Sequence, residues 1–410
     1  MRNARLLVSA LLSCVVLISA SCAFAQDWPQ WRGPNRDAKV AGFVVPAAWP
    51  ATLTQQWKTA VGAGDSTPAL VDGKLYVFAR QGDDEVTSCL NAADGKIVWQ
   101  DKNPTAAVGG PAARHPGPRS SPAVADGKVV TLGVNGTVSC LDAATGKVLW
   151  RKDVFPNVVP KFYTSMSPLI ANGMAIAHVG GDGNGALVAF DLATGDEKWR
   201  CANEAPQYAS PVLMTVAGTE QIVTLSEKSV IGVGLADGKL LWEIPFVPQG
   251  MAYNSATPII DGQTVIFTGA ARGTKAVNIA KQGDAFTATE AWSNPDIACQ
   301  FSTPVLENGF LYGLSNRGNL FCIDAKTGKT AWLDTTQRDR SGFGAVVDLG
   351  AAIVVLPSNG TLIGFQASDK AYTELGQTKV ADTPTYAFPV FAGKNVFVKD
   401  QDSVILWTLP

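Results

Sequence analysis

Histidine is almost missing from this sequence, with His115 and His178 the only two in 410 residues. A zinc centre needs three or four clustered imidazole, thiolate or carboxylate ligands, and none can be assembled around two isolated histidines. Charge is sparse as well. Asp, Glu, Lys and Arg make up 17% of the chain and the net charge is -2, so the basic surplus that displaces counterions from a phosphate backbone is absent and nucleic acid is not an expected partner. Beyond the N-terminus no stretch approaches the ~18 uninterrupted apolar residues of a spanning helix. No heptad or other helical periodicity runs through the chain.

The N-terminus reads as an address. Arg2 and Arg5 precede an apolar run from Leu6 to Ile18, and Ala23-Phe24-Ala25 supplies a small-x-small cleavage site, which predicts a signal peptide over 1–25 and a mature chain from Gln26. Lipoprotein processing at Cys22 would tether the chain to a membrane, but Ser19-Ala20-Ser21 lacks the aliphatic residue such signals carry. The expected location is secreted across the inner membrane, periplasmic or extracellular. Cleavage leaves Cys89, Cys140, Cys201, Cys299 and Cys322, an odd number in an oxidising compartment, so at least one thiol has no intramolecular partner. Cys89, Cys140 and Cys322 occupy one place in three repeats and read as small buried fillers on separate units. Cys201 and Cys299 could pair or stay free.

What the chain has is a repeat. The segments SCLNAADGKIVW (88–99), SCLDAATGKVLW (139–150), VAFDLATGDEKW (188–199), GVGLADGKLLW (232–242) and FCIDAKTGKTAW (321–332) align by eye. Trp57, Trp99, Trp150, Trp199, Trp242, Trp292 and Trp332 follow one another at intervals of roughly 40 to 51 residues, the period of propeller blades. Short strand-forming runs such as 74–78 and 128–132 follow Asp-Gly or Asn-Gly pairs, which supply the positive φ of tight hairpins. A later Asp-to-Gly turn forms the last hairpin of each unit, and four residues on comes a tryptophan, a large surface to wedge between neighbouring blades.

The units fall at about 62–101, 118–152, 163–201, 207–244, 254–294, 300–334, 342–378 and from about Tyr386 onward. The last runs out of chain before its outer strand, while residues 54–61 form a lone strand carrying a repeat-type Trp57. The reading is therefore all-β: an eight-bladed β-propeller over 54–410, closed by an N-terminal strand that completes the last blade. Blade five lengthens its last hairpin around Gly283-Asp284. Blade seven has no tryptophan, and Tyr372 or Leu375 is the expected substitute. Residues 26–53 are expected to pack on the propeller rim as a plug or strap.

The unit A/C-L-D-A-x-T-G-K-x-x-W resembles the repeats of the quinoprotein alcohol dehydrogenase-like, or PQQ-like, propellers, including BamB-like outer-membrane assembly proteins, over residues 54–410. The opening Asp27-Trp28-Pro29-Gln30-Trp31-Arg32-Gly33-Pro34 resembles the leading segment of secreted bacterial PQQ-like repeat proteins. The enzymes of this superfamily carry adjacent cysteines beside the quinone, carboxylate and amide ligands for calcium, and often a C-x-x-C-H haem site. This sequence has neither a Cys-Cys pair nor C-x-x-C-H. No catalytic residue, metal or cofactor is therefore expected. The chain reads as a protein-binding or scaffolding module of the cell envelope with a protein or peptide partner; the alternative is a divergent dehydrogenase of alcohols or sugars using PQQ and Ca2+. Binding of a small molecule or glycan in the channel stays open.

In propellers the segments leading into the innermost strands rim the channel at one face. Here they share a form, as in Ser66-Thr67-Pro68, Ser120-Ser121-Pro122 and Ser302-Thr303-Pro304, so small hydroxyls are expected around the mouth. Upstream of them lie Arg114, His115, Arg119, Tyr163, Tyr208, Asn254, Phe301 and Tyr386, a polar and aromatic funnel of the composition that recognition surfaces favour. The long loop 101–120 with Arg114-His115-Pro116-Gly117-Pro118-Arg119 is the leading candidate. Replacing Arg119 and Tyr208 by Ala is expected to weaken capture and leave thermal stability intact. His178, inside a strand, reads as a structural histidine, and Gly180 to Gly185 as a hairpin rather than a phosphate or calcium loop.

Overall fold

The computed structural model describes residues 26–46, 48–202 and 204–410, so the signal-peptide and Cys22 readings lie outside the described residues. Eight four-stranded antiparallel sheets are arranged as the blades of a propeller. Seven are meanders in chain order. The eighth runs Thr54–Ala60, Ser403–Thr408, Asn395–Lys399 and Val390–Ala392, so the N-terminal strand is the outer strand of the last blade. Asp72, Asp126, Asn172 and Asn308 take φ between 48° and 50° in the first hairpin turns, a conformation that the short side chains of Asp and Asn tolerate.

Five of the repeat tryptophans dock on a glycine of the blade that follows. The Trp57, Trp99, Trp150, Trp199 and Trp292 rings lie on Gly95, Gly146, Gly195, Gly238 and Gly328 of the next blade's last turn, where a Cβ would come within 2.4 to 2.7 Å of the indole. Their Nε1 groups donate to carbonyls of the same turns, at Ala92, Ala143, Leu192, Leu235 and Ala325. The glycine thus serves two needs, positive φ and room for a ring.

The exceptions follow from the next blade. Trp242 faces blade five, whose last hairpin joins ten-residue strands Gly273–Gln282 and Ala285–Asn294, and it bonds Gln221 of its own blade instead. A blade-seven tryptophan would dock on the last turn of blade eight, and that turn does not exist because the sheet closes with strands from the two ends of the described chain. Gly376 pairs with Gly364 at the register that Trp332 and Cys322 hold in blade six. The space over this glycine pair is filled from the leading segment: a Cβ on Gly364 would stand 2.8 Å from the Trp49 ring. Neither Tyr372 nor Leu375 is the substitute; Tyr372 packs on Trp332 of blade six, ring centroids 5.8 Å apart.

Residues 28–40 lie within the central channel rather than on the rim. Trp28 exchanges both backbone bonds with Leu70 of blade one, Pro29 O accepts from Val124 of blade two, and Ala38 and Val40 pair with Asp348 of blade seven. Arg36 donates to Pro168 O and Pro211 O of blades three and four, at 2.5 and 2.6 Å, and Arg32 to Thr303 O and Pro304 O of blade six. Trp31 Nε1 donates to Thr257 Oγ1 of blade five, and its ring packs edge-on against Phe388 of blade eight. One segment therefore binds all eight blades and satisfies inner-edge backbone groups that would otherwise stay unpaired. Burial lowers the Arg36 and Arg32 pKa to about 9 and about 10, which leaves both charged at neutral pH.

Cys89, Cys140, Cys201, Cys299 and Cys322 are all buried and free, so Cys201 and Cys299 do not pair. His178 is fully buried in the strand Met174–Gly181 with Nε2 2.8 Å from Glu204 O, and residues 181–184 turn between two strands as expected.

Candidate functional site

The small hydroxyls before the inner strands form a belt between blades. The amide of Thr67 donates to Ser121 Oγ, that of Ser121 to Ser167 Oγ, and that of Ser167 to Ser210 Oγ; Thr257 N reaches Thr303 Oγ1 and Phe388 N reaches Thr67 Oγ1. Each bond of 2.9 to 3.0 Å joins one blade to the next, so the shared Ser/Thr-Pro form answers a structural demand as well as facing the mouth.

Above this belt opens a funnel with a cavity of about 350 Å³. Its floor is Trp31 of the leading segment and Phe388. On one side Phe301 and Phe343 stack in parallel at 4.3 Å and 3°, with Tyr386 edge-on to Phe343 at 5.0 Å. On the opposite side Tyr208 and Tyr253 stack at 5.8 Å, and Phe162 meets Tyr253 edge-on. Offset and edge-to-face contacts hold such rings as rigid walls. The rings come from the connections into blades three to eight, so the propeller symmetry itself arranges them around one axis.

The loop of blade two closes the remaining side. Its preceding strand extends to Pro104, and the loop carries a short 3-10 turn, Gly110–Arg114. His115 Nδ1 lies 2.7 Å from Asp65 Oδ2 and its ring packs on Tyr386 at 4.8 Å, which ties the loop to blades one and eight. Arg119 donates to the carbonyls of Phe162, Ala112 and His115. Its guanidinium holds the loop in shape, so removing it disturbs the loop as well as the surface, contrary to the expectation of untouched stability. Arg114 is exposed on the lip and makes no hydrogen bond or ion pair with the described residues.

Six of the eight residues read from the sequence thus meet in the funnel: Arg114, His115, Arg119, Tyr208, Phe301 and Tyr386. Two do not. Tyr163 turns away from it, and its hydroxyl accepts a bond from Gly109 N at 2.9 Å in a small cluster beneath the loop. Asn254 is buried, donating to Ser226 O and Phe246 O and accepting from Arg272. Trp31, Asp65 and Phe388 are wall or floor residues that loop alignment does not single out, because Trp31 arrives from another part of the chain.

Two side chains in the wall have buried polar atoms without a hydrogen-bond partner among the described residues, Tyr208 Oη and Ser255 Oγ. Burial pushes the Tyr208 hydroxyl well above the usual tyrosine range, so it is a hydrogen-bond donor at any ordinary pH. Among the described residues no three His, Cys, Asp or Glu side chains are placed to hold a metal ion.

Comparison with known proteins matches this architecture. The family described as outer membrane protein assembly factor BamB matches residues 82–334, more than half of the chain. The chain is similar to the outer membrane protein assembly factor BamB of Burkholderia pseudomallei, 24% identical over 95% of this chain and 94% of that one. Among solved structures it shares its fold with BamB from Moraxella catarrhalis, TM-score 0.65 at 14% identity over 87% of this chain and all of that one. It shares it equally with the quinohemoprotein alcohol dehydrogenase from Comamonas testosteroni, TM-score 0.69 at 15% identity over 95% and 81%. Eight blades of this repeat, the ring-on-glycine docking and the family match together show that the chain belongs to the BamB family of PQQ-like β-propellers.

Proposed function

We propose that this chain is a non-catalytic scaffold of the cell envelope that captures a segment of another polypeptide in its funnel. The observation that carries the reading is a rigid aromatic cup with a closed floor at one end of the channel. Such a cup suits the side chains of a partner, which bring large contact area to preorganised pockets. The relatives named as outer membrane protein assembly factors support an envelope role and protein partners. A periplasmic location fits the same relatives, and no helix among the described residues is long and apolar enough to cross a membrane.

The donor set of the funnel does not fit pyrroloquinoline quinone with calcium. Its one carboxylate, Asp65, is already engaged by His115, whereas Ca2+ takes about six to eight oxygen ligands with carboxylates among them. A photoreactive phenylalanine at position 301 should form discrete adducts with envelope polypeptides in cells, and the same group at the exposed outer-strand position 333 should not. No adduct at 301, or the same adducts from both positions, would sink the reading.

A further inference from the structure

Resting on that reading, we propose that the segment held in the funnel is a partner loop carrying an aromatic side chain next to an acidic one. The cavity of about 350 Å³ opens to solvent on one side and has room for an aromatic ring with a neighbouring side chain. The two opposed aromatic walls, Phe301 with Phe343 and Tyr208 with Tyr253, offer ring faces and edges on both sides of the Trp31 floor, the arrangement that receives a flat apolar group.

Charge decides the neighbour. Asp65, the one carboxylate of the wall, lies against His115. Among the described residues Arg119 is bonded only to neutral carbonyls and forms no ion pair, and Arg114 on the lip has no acidic partner. Within the lining itself two guanidiniums face one carboxylate, which favours an incoming Asp or Glu over a Lys or Arg at the Arg114 and Arg119 side of the cup, while the charges of Asp182 and Asp339 reach Tyr208, Tyr253 and Tyr386. Outside the cup the surface continues apolar next to Tyr253, with Val247 54% and Met251 82% exposed on one loop, which gives the flanks of a bound loop something to lie on.

The test is panning of a disulfide-closed library of random seven-residue loops on the full chain and on its Arg114→Glu and Phe301→Ala variants. Arg114 is exposed and unbonded, so its variant keeps the fold. Loops with an aromatic residue beside Asp or Glu should dominate on the wild type, bind Arg114→Glu at least tenfold more weakly, and give way to Lys-flanked loops on that variant. Aromatic loops without acidic neighbours that bind Arg114→Glu as well as wild type, yet fail on Phe301→Ala, overturn the charge assignment while the funnel reading stands. Loops indifferent to both substitutions, or no enrichment at all, overturn both.

Discussion

His178 shows how a lone histidine in this fold behaves. Full burial lowers its pKa to about 4, while the hydrogen bond to Glu204 O opposes the shift only in part. The folded state holds it neutral where the unfolded chain, with an ordinary value near 6.5, takes up a proton. The stabilisation is complete above about pH 6.5 and is lost as pH falls toward about 4, an effect on the order of 3 kcal/mol. Chemical denaturation across that window should show it, and His178→Gln, which has no charge to bury, should flatten that part of the slope; an unchanged slope would show that other groups set it. At this scale the sequence was legible where a residue repeats its neighbours' position. His115, Phe301 and Tyr386 were found because the connections into the blades align. Tyr163 and Asn254 align equally well but turn inward, since which way a loop side chain points depends on carbonyls and rings from other blades.

The tryptophan and the turn that receives it form the working element of the propeller. Wherever the next blade has a short Asp-to-Gly turn, the ring lies on its glycine; where the turn is lengthened or absent, the ring finds another partner or is replaced. Trp49 is the replacement in blade seven. Trp49→Ala should cost about 3 kcal/mol or more, as large aromatic truncations in a core do. Gly364→Ala should also destabilise the wild type, because its Cβ would stand 2.8 Å from the Trp49 ring, and should be nearly neutral in the Trp49→Ala background. Additive losses in urea denaturation would show that the ring and the glycine are not coupled. The repeats, their turns and the eight blades were readable because each is specified within about forty residues. The place of Trp49 was not, since the glycines that accommodate it lie more than three hundred residues away and no periodicity links them.

For the molecule as a whole, the leading segment is the axle on which the blades are mounted. Removing residues 28–40 should unseat bonds to every blade, lower the unfolding temperature by many degrees, and split one cooperative transition into broader steps, as in repeat arrays whose units touch only their neighbours. Calorimetry that finds the same single transition would show the axle to be dispensable. The same removal takes away Trp31 and opens the funnel floor, so the binding site and the stability of the ring share one set of residues. Closure also has a cost in time. The strand Thr54–Ala60 finds its partner Ser403–Thr408 only when the whole intervening chain is present, and residues 28–40 need all eight inner edges at once. Contacts of such high sequence separation make folding slow, and until they form the first strand and the axle residues stay open to solvent. A chain built this way is vulnerable to aggregation and proteolysis before it closes rather than after, and benefits most from a chaperone that holds its N-terminal segment until the last blade arrives.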